Sequence, residues 1–231
     1  MSNFTKLEKV LRINFKNIDL LWQAFVHRSY LNEHPNFKLG HNERMEFLGD
    51  AVLELAVTED LFKKFPNEPE GKLTNLRSSL VNTKMLAEIA QELKLGDFLY
   101  LSKGEVYDTN KKAKESILAN TFEAMVGAIY LDQGFRISKN FLKRVLAKKL
   151  DFIIDHQLYV DPKSRFQEVS QEKYNLTPQY KMLSESGPDH EKIFTIGLYI
   201  GEELISKGKG ASKQLAQFEA AKRGLKKKKW K

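Results

Sequence analysis

The period of the hydrophobic pattern changes once along this chain, near residue 160, and that change divides it into two differently built parts. Up to residue 130, FKNIDLLWQAFVHRSY (15–30), NERMEFLGDAVLELAVTEDLFKKF (42–65), GKLTNLRSSLVNTKMLAEIAQEL (71–93) and ESILANTFEAMVGAIYLDQG (115–134) space their apolar residues by three and four. None alternates strictly, so helix follows helix. Pro35 with Asn36, Pro66 and Pro69 with Gly71, Gly96 and Gly134 mark the expected stops. RISKNFLKRVLAKKLDFII closes this all-α part near residue 155. After DHQLYVDP, KSRFQEVSQEKY (163–174) predicts an amphipathic helix, while PQYKMLSES, KIFTIGLYI and EELISKGKG are short β-rich segments separated by turn residues. SKQLAQFEAAKRGLKKKK then returns to helix. The expected organisation is an all-α domain over 1–155, a linker over 156–161 and a small α+β domain of order αβββα over 162–231.

Charge follows the same division. Residues 1–160 hold 23 Lys+Arg against 21 Asp+Glu, whereas residues 161–231 hold 15 against nine. A basic patch favours polyanions through counterion release, which makes nucleic acid the first partner and an anionic membrane surface the second; solubility alone explains the charge equally well. The chain has no cysteine, which excludes a disulfide scaffold and a thiolate metal site. Apolar runs are broken by charges well short of ~20 residues, and MSNFTKLEKV lacks an apolar signal core, so the expected location is cytoplasmic, away from membranes.

Within NERMEFLGDAVLELA, Glu43, Glu46 and Asp50 fall within about 60° of one another on a helix, among Leu48, Val52, Leu53 and Leu55. Like charges so placed raise one another's pKa unless a cation sits among them, and oxygen-only clusters suit Mg²⁺ or Mn²⁺. Asn120 and Glu123 repeat the pattern inside ILANTFEAMVGAIYL. Two readings stay open from the residues alone: solvated stripes on two surface helices, or two faces that meet and hold a metal able to clamp a phosphodiester. His27, His34 and His41 recur every seven residues, but Pro35 and Gly40 break any helix that could align them; His27 is expected to pack or hydrogen-bond, and Trp22 to join the core. GKGASK lacks the spacing of a phosphate loop, and KKKKW is expected to be a frayed, solubilising end.

NERMEFLGDAVL resembles the signature of the ribonuclease III family, metal-dependent endonucleases that cut double-stranded RNA. AFVHRSY, EGKLTNLRSSLVN, LGDFLYLSKGE and ESILANTFEAMVGAIYLD match further motifs in the same order. The resemblance implies Glu46, Asp50 and Glu123 as core metal ligands, Glu43 and Glu70 as additional acidic residues near the cleavage centre, and Phe47 at the interface of a homodimer. It implies Mg²⁺, with Mn²⁺ as a substitute. It also implies products with 5′ phosphates and short 3′ overhangs, and a place in rRNA and mRNA processing. Residues 161–231 resemble a double-stranded RNA-binding domain. Ser164, Gln167, Glu168 and Gln171 would then face one minor groove, His190 the next, and Lys209, Ser212 and Lys213 the phosphates between. Gln214 stands where the family often has a second Lys.

One site residue departs from the family. Where it normally reads ILADTFEA, this chain reads ILANTFEA, so Asn120 fills a metal-ligand position with a carbonyl oxygen, no negative charge and an NH₂ donor. That substitution leaves a rival function: a double-stranded RNA-binding protein of ribonuclease III fold that binds without efficient cleavage.

Overall fold

The computed structural model describes residues 2–188 and 191–230. The chain forms two compact units, Met1–Tyr159 and Val160–Lys231.

The first unit is helical. It contains α1 (Ser2–Leu11), α2 (Ile18–Ala24), α3 (Arg28–Glu33), α4 (Glu43–Lys64), α5 (Glu70–Leu80), α6 (Thr83–Glu92), α7 (Lys103–Tyr107), α8 (Lys111–Gln133) and α9 (Phe135–Asp155), with a 3₁₀ turn at Leu95–Phe98. Along α8 an unbroken run from Ala124 to Ile129 is buried, so this helix is surrounded, and its most extensive contact is with α4. Phe25, Leu53, Leu86, Phe122 and Ile129 belong to the single core built around it. Gly134, at φ +77°, ends α8 and lets α9 turn back, a backbone conformation that costs glycine little.

Two segments expected as single helices are each divided. Residues 15–30 break at Phe25–His27, where Val26 forms a parallel bridge with Tyr100: the Tyr100 amide donates to Phe25 O at 2.9 Å and the His27 amide to Tyr100 O at 3.1 Å. Residues 71–93 break at Val81 and Asn82, where Asn82 Oδ1 accepts from the Met85 amide at 3.0 Å and starts a new helix. Gly71, read as a stop, lies in the first turn of α5. Both breaks run through residues whose apolar spacing suits a continuous helix, so the period hides them.

The second unit follows the order α10 (Pro162–Tyr174), β1 (Gln179–Ser186), β2 (Ile193–Ile200), β3 (Glu203–Gly210) and α11 (Lys213–Lys228). The strands form an antiparallel sheet of order β1-β2-β3, with a register shift between Met182 and Ser184. Phe166 of α10, Leu198, Ile200 and Ile205 of the sheet, and Ala220 and Ala221 of α11 make its core. The terminal KKKKW is not frayed. Lys227 Nζ donates to Ile205 O at 2.9 Å, Lys228 pairs with Glu203 at 3.2 Å, and the Trp230 ring lies 4.9 Å from that of Phe166. The aromatic ring, which a charge-run reading discounts, anchors the end.

Candidate functional site

The closest approach of α4 and α8 is made by glycine. A Cβ on Gly49 would stand 1.8 Å from the Glu123 carbonyl oxygen, and one on Gly127 2.3 Å from that of Met45. The two backbones therefore touch, each through the other's glycine, and their flanking side chains share one place. Glu46 and Asp50 flank Gly49 on α4; Asn120 and Glu123 occupy the two turns before Gly127 on α8. The two acidic faces meet, as the metal reading requires and two solvated stripes would not.

The electrostatics of the crossing are those of crowded carboxylates. Burial, reinforced by the charges of Asp50 and then Glu46, pushes the Glu123 carboxyl up to about 7. Burial also raises Glu46, with Glu43 and Asp50 adding repulsion, while a hydrogen bond donated by Asn120 works in the opposite direction. Glu43 is placed differently: it is exposed and faces Arg28 at 3.4 Å and His41 at 3.7 Å. Every charge acting on Glu123 and Glu46 is negative, and all the donors are oxygen, which is the chemistry of a hard divalent cation site. Among the described residues, no three His, Cys, Asp or Glu side chains are grouped closely enough to hold an ion as they stand. The fit to a cation therefore rests on the chemistry of the donor set, oxygen throughout, and on the glycine contact that brings the two helices together.

Stability should carry the signature of that crowding. From about pH 4.5, where an ordinary glutamate ionises, to about 7, the folded chain keeps the Glu123 proton and the unfolded chain releases it. This contribution is therefore fully present at low pH and lost as pH rises through the window. Urea unfolding in chelator should show Glu123→Gln more stable than the parent by on the order of 1–3 kcal/mol near pH 8, with the difference vanishing near pH 4.

Glu70 is not part of this cluster within one chain. It begins α5 and lines a recess with Leu61, Phe62 and Leu73 at the far end of α4. Phe62 is 16 residues beyond Glu46, about 24 Å along a helix. Phe47 is 82% exposed, and it shares a strip of α4 with Leu55 at 58% and Phe62 at 70%. His27 is a hydrogen-bonding group, as expected: its Nδ1 accepts from the Ser29 amide at 3.3 Å and caps α3. Residue chemistry alone does not single out Gly49 and Gly127, nor His41 as a partner for Glu43. A glycine inside each of two helical runs, FLGDAV and MVGAIY, was the available signal.

In the second unit, Ser164, Gln167, Glu168 and Gln171 are all exposed, one turn apart on one face of α10. Gln171 Nε2 donates to Asn175 Oδ1 at 2.7 Å, and Glu168 faces Arg165 at 3.4 Å. Ser212 caps α11, its Oγ accepting from the Leu215 amide at 3.2 Å, and exposed Lys213 opens the helix with its Nζ 6.0 Å from the Phe194 ring centre. Lys209 is exposed on β3, opposite Thr195. A helix N-terminus flanked by two lysines is a natural phosphate site. His190 lies outside the described residues.

Comparison with known proteins covers both units. A family model described as Ribonuclease-III-like matches residues 17–150, and the double-stranded RNA binding motif matches residues 162–228. The chain is 45% identical over 223 residues to ribonuclease 3 of Carboxydothermus hydrogenoformans, covering 96% of this chain and 94% of that protein. It is 43% identical to ribonuclease 3 of Borreliella burgdorferi over 97% of this chain and 91% of that protein. The crystal structure of the ribonuclease III nuclease domain from Campylobacter jejuni superimposes with a TM-score of 0.57 at 44% identity, covering 64% of this chain and 97% of that one. A second structure of that domain, described for flexibility in a region involved in dimer formation, gives a TM-score of 0.55 at 44% identity, covering 62% of this chain and 95% of that one.

Proposed function

The chain belongs to the ribonuclease III family, and from that membership we propose that it cleaves double-stranded RNA with Mg²⁺, or Mn²⁺ in its place, held at the α4–α8 crossing. The family and the RNA-binding motif make it an endoribonuclease acting on duplex RNA. The observation that carries the finer reading is the meeting of Glu46, Asp50 and Glu123 with no positive side chain among the charges that act on Glu46 and Glu123. These carboxylates, with the carbonyl oxygen of Asn120, are the ligands in this proposal. When bound, the divalent ion supplies a hydroxide nucleophile at neutral pH and stabilises charge on the phosphodiester. The chain's own residues do the rest. Glu123 would hold the ion as the carboxylate, its proton released to solvent, while Arg28 and His41 restrain Glu43 beside the cluster and the Gly49–Gly127 contact keeps the two helices in register.

In this reading the products carry 5′ phosphates and short 3′ overhangs, the substrates are rRNA and mRNA precursors, and the protein works in the cytoplasm. The exposed strip of Phe47, Leu55 and Phe62 is too apolar to be left in water, and a second copy is the proposed cover. Dimerisation also offers a use for Glu70, which cannot reach the carboxylates of its own chain. Duplex binding is assigned to the α10 face and the N-terminus of α11. Lys213→Ala should weaken duplex affinity at every salt concentration and lower the slope of log affinity against log salt by about one, measured by filter binding.

The rival reading, duplex binding without efficient cleavage, is favoured by one observation: the Asn120 amide spends its hydrogen bond on Glu46, the neighbouring ligand. A long RNA duplex incubated with the chain over a Mg²⁺ series, with product ends mapped, tests the proposal. Cuts on both strands that vanish in chelator, while duplex binding persists, are the expected result. Cleavage indifferent to chelator, or confined to single strands, would overturn it.

A further inference from the structure

Four polar side chains are buried among the described residues: Asn42, Thr121, Ser138 and Ser170. Three of them bond close by, Thr121 Oγ1 donating to Ile117 O at 2.7 Å, Ser138 Oγ to Gly134 O at 3.2 Å and Ser170 Oγ to Leu176 O at 2.7 Å. Asn42 is the one that reaches another helix, its Nδ2 donating to Ala24 O of α2 at 3.2 Å. Asparagine at the start of a helix is ordinarily explained by capping, its Oδ1 accepting from an amide of the first turn. That explanation fails here. The Asn42 backbone is already helical, at φ −84° and ψ −11°, its side chain makes no cap bond, and the Glu43 amide donates instead to His41 Nδ1 at 3.4 Å. The side chain is spent on a carbonyl at the end of α2, where the helix itself supplies no donor. The Asn42 amide adds a second link, donating to Val26 O at 2.9 Å.

These bonds give α4 a second fixed point. Both α2 and α4 pack on α8, and Asn42 ties the two to each other. The Gly49–Gly127 contact sets how closely α4 and α8 approach, but contact at one point leaves a helix free to pivot and roll about it. Asn42 lies seven residues before Gly49, about 10 Å along the axis, far enough away to fix tilt and roll. Glu46 stands between the two points, and its amide donates to Asn42 O at 2.9 Å. We propose that Asn42 is a positioning residue for the cation site, holding α4 so that Glu46 stays on the face that meets Glu123 of α8. This inference rests on the cation-binding reading of the crossing, and it makes metal affinity, beyond stability, depend on a side chain that touches no ion.

Titration of the full chain with Mn²⁺, the free ion followed by its EPR signal, tests this. Asn42→Ser separates the tether from the cap, because serine is a preferred N-cap residue whose hydroxyl is one bond too short to reach Ala24 O. Asn42→Ser and Asn42→Ala should each weaken Mn²⁺ binding about tenfold, the scale on which residues that orient metal ligands act. Ser138→Ala, which deletes a buried hydrogen bond elsewhere in the same unit, should leave Mn²⁺ affinity within about twofold of the parent. Urea titration confirms that each variant is folded under the conditions used. Parental Mn²⁺ affinity in a folded Asn42 variant, beside lost affinity in Glu123→Gln, would overturn the proposal and leave the cation site standing. Equal weakening by Ser138→Ala would also overturn it, since loosened packing would then suffice. An absence of saturable binding by the parent would overturn the cation reading, and this inference with it.

Discussion

Asn120→Asp is expected to raise the rate of duplex RNA cleavage about 100-fold at low millimolar Mg²⁺, with the gap narrowing as Mg²⁺ is increased. The parent crossing holds three carboxylates and one amide. The amide contributes no charge to cation binding, and its NH₂ group donates to Glu46, so an oxygen of that proposed ligand is partly occupied by a neutral donor. Aspartate removes that donor and adds the missing charge. The same change has a cost without metal. A fourth carboxylate raises Glu46 and Glu123 further, so the variant should unfold more easily in chelator by about 1 kcal/mol and recover when Mg²⁺ is added. Duplex affinity in chelator should match the parent within about twofold, because the phosphate contacts assigned to the second unit are untouched. Equal cleavage by parent and variant over the whole Mg²⁺ range would show that Asn120 serves as a working ligand through its carbonyl oxygen. Cleavage by the variant alone would identify the parent as a duplex-binding protein with a disabled centre.

The legibility of this site in the sequence has a definite limit. The acidic faces of α4 and α8 were readable because carboxylates inside apolar helices are costly, and the helical period places them on one side of each helix. The β-rich segments of the second unit were readable because Gly and Pro punctuate them. What could not be read is how two distant segments meet. The break at Val26 depends on a distant partner, the bridge to Tyr100; the break at Asn82 is local, an N-cap on Met85 that hydrophobic period alone does not register. The place of Glu70 depends on the length of α4 as a rigid spacer. Four lysines before Trp230 mask its role, since its packing partner, Phe166, lies at the other end of the same unit's sequence.

Gly49→Ala is expected to destabilise the first unit by about 3 kcal/mol or more and to lower cleavage at least about 100-fold under conditions where the chain remains folded. The reason is backbone contact. The added methyl would lie 1.8 Å from Glu123 O and 2.6 Å from its carbonyl carbon, and neither atom can rotate away as a side chain could. Relief requires α4 and α8 to separate by more than an ångström along the core's most extensive interface, which loosens packing around Met45, Met125 and Phe122. The same separation moves Glu46 and Asp50 away from Glu123, so ligand geometry is lost along with stability. Gly71→Ala provides the contrast: nothing lies within 4 Å of its Cβ, and the residue is helical. That substitution should stabilise by about 0.4–1 kcal/mol, since alanine restricts the unfolded chain and fits the fold. Urea unfolding of both variants, beside the parent, separates the effect of losing a glycine from that of parting two helices. If Gly49→Ala were as harmless as Gly71→Ala, the direct backbone contact at the crossing, and the positioning of the carboxylates built on it, would have to be abandoned.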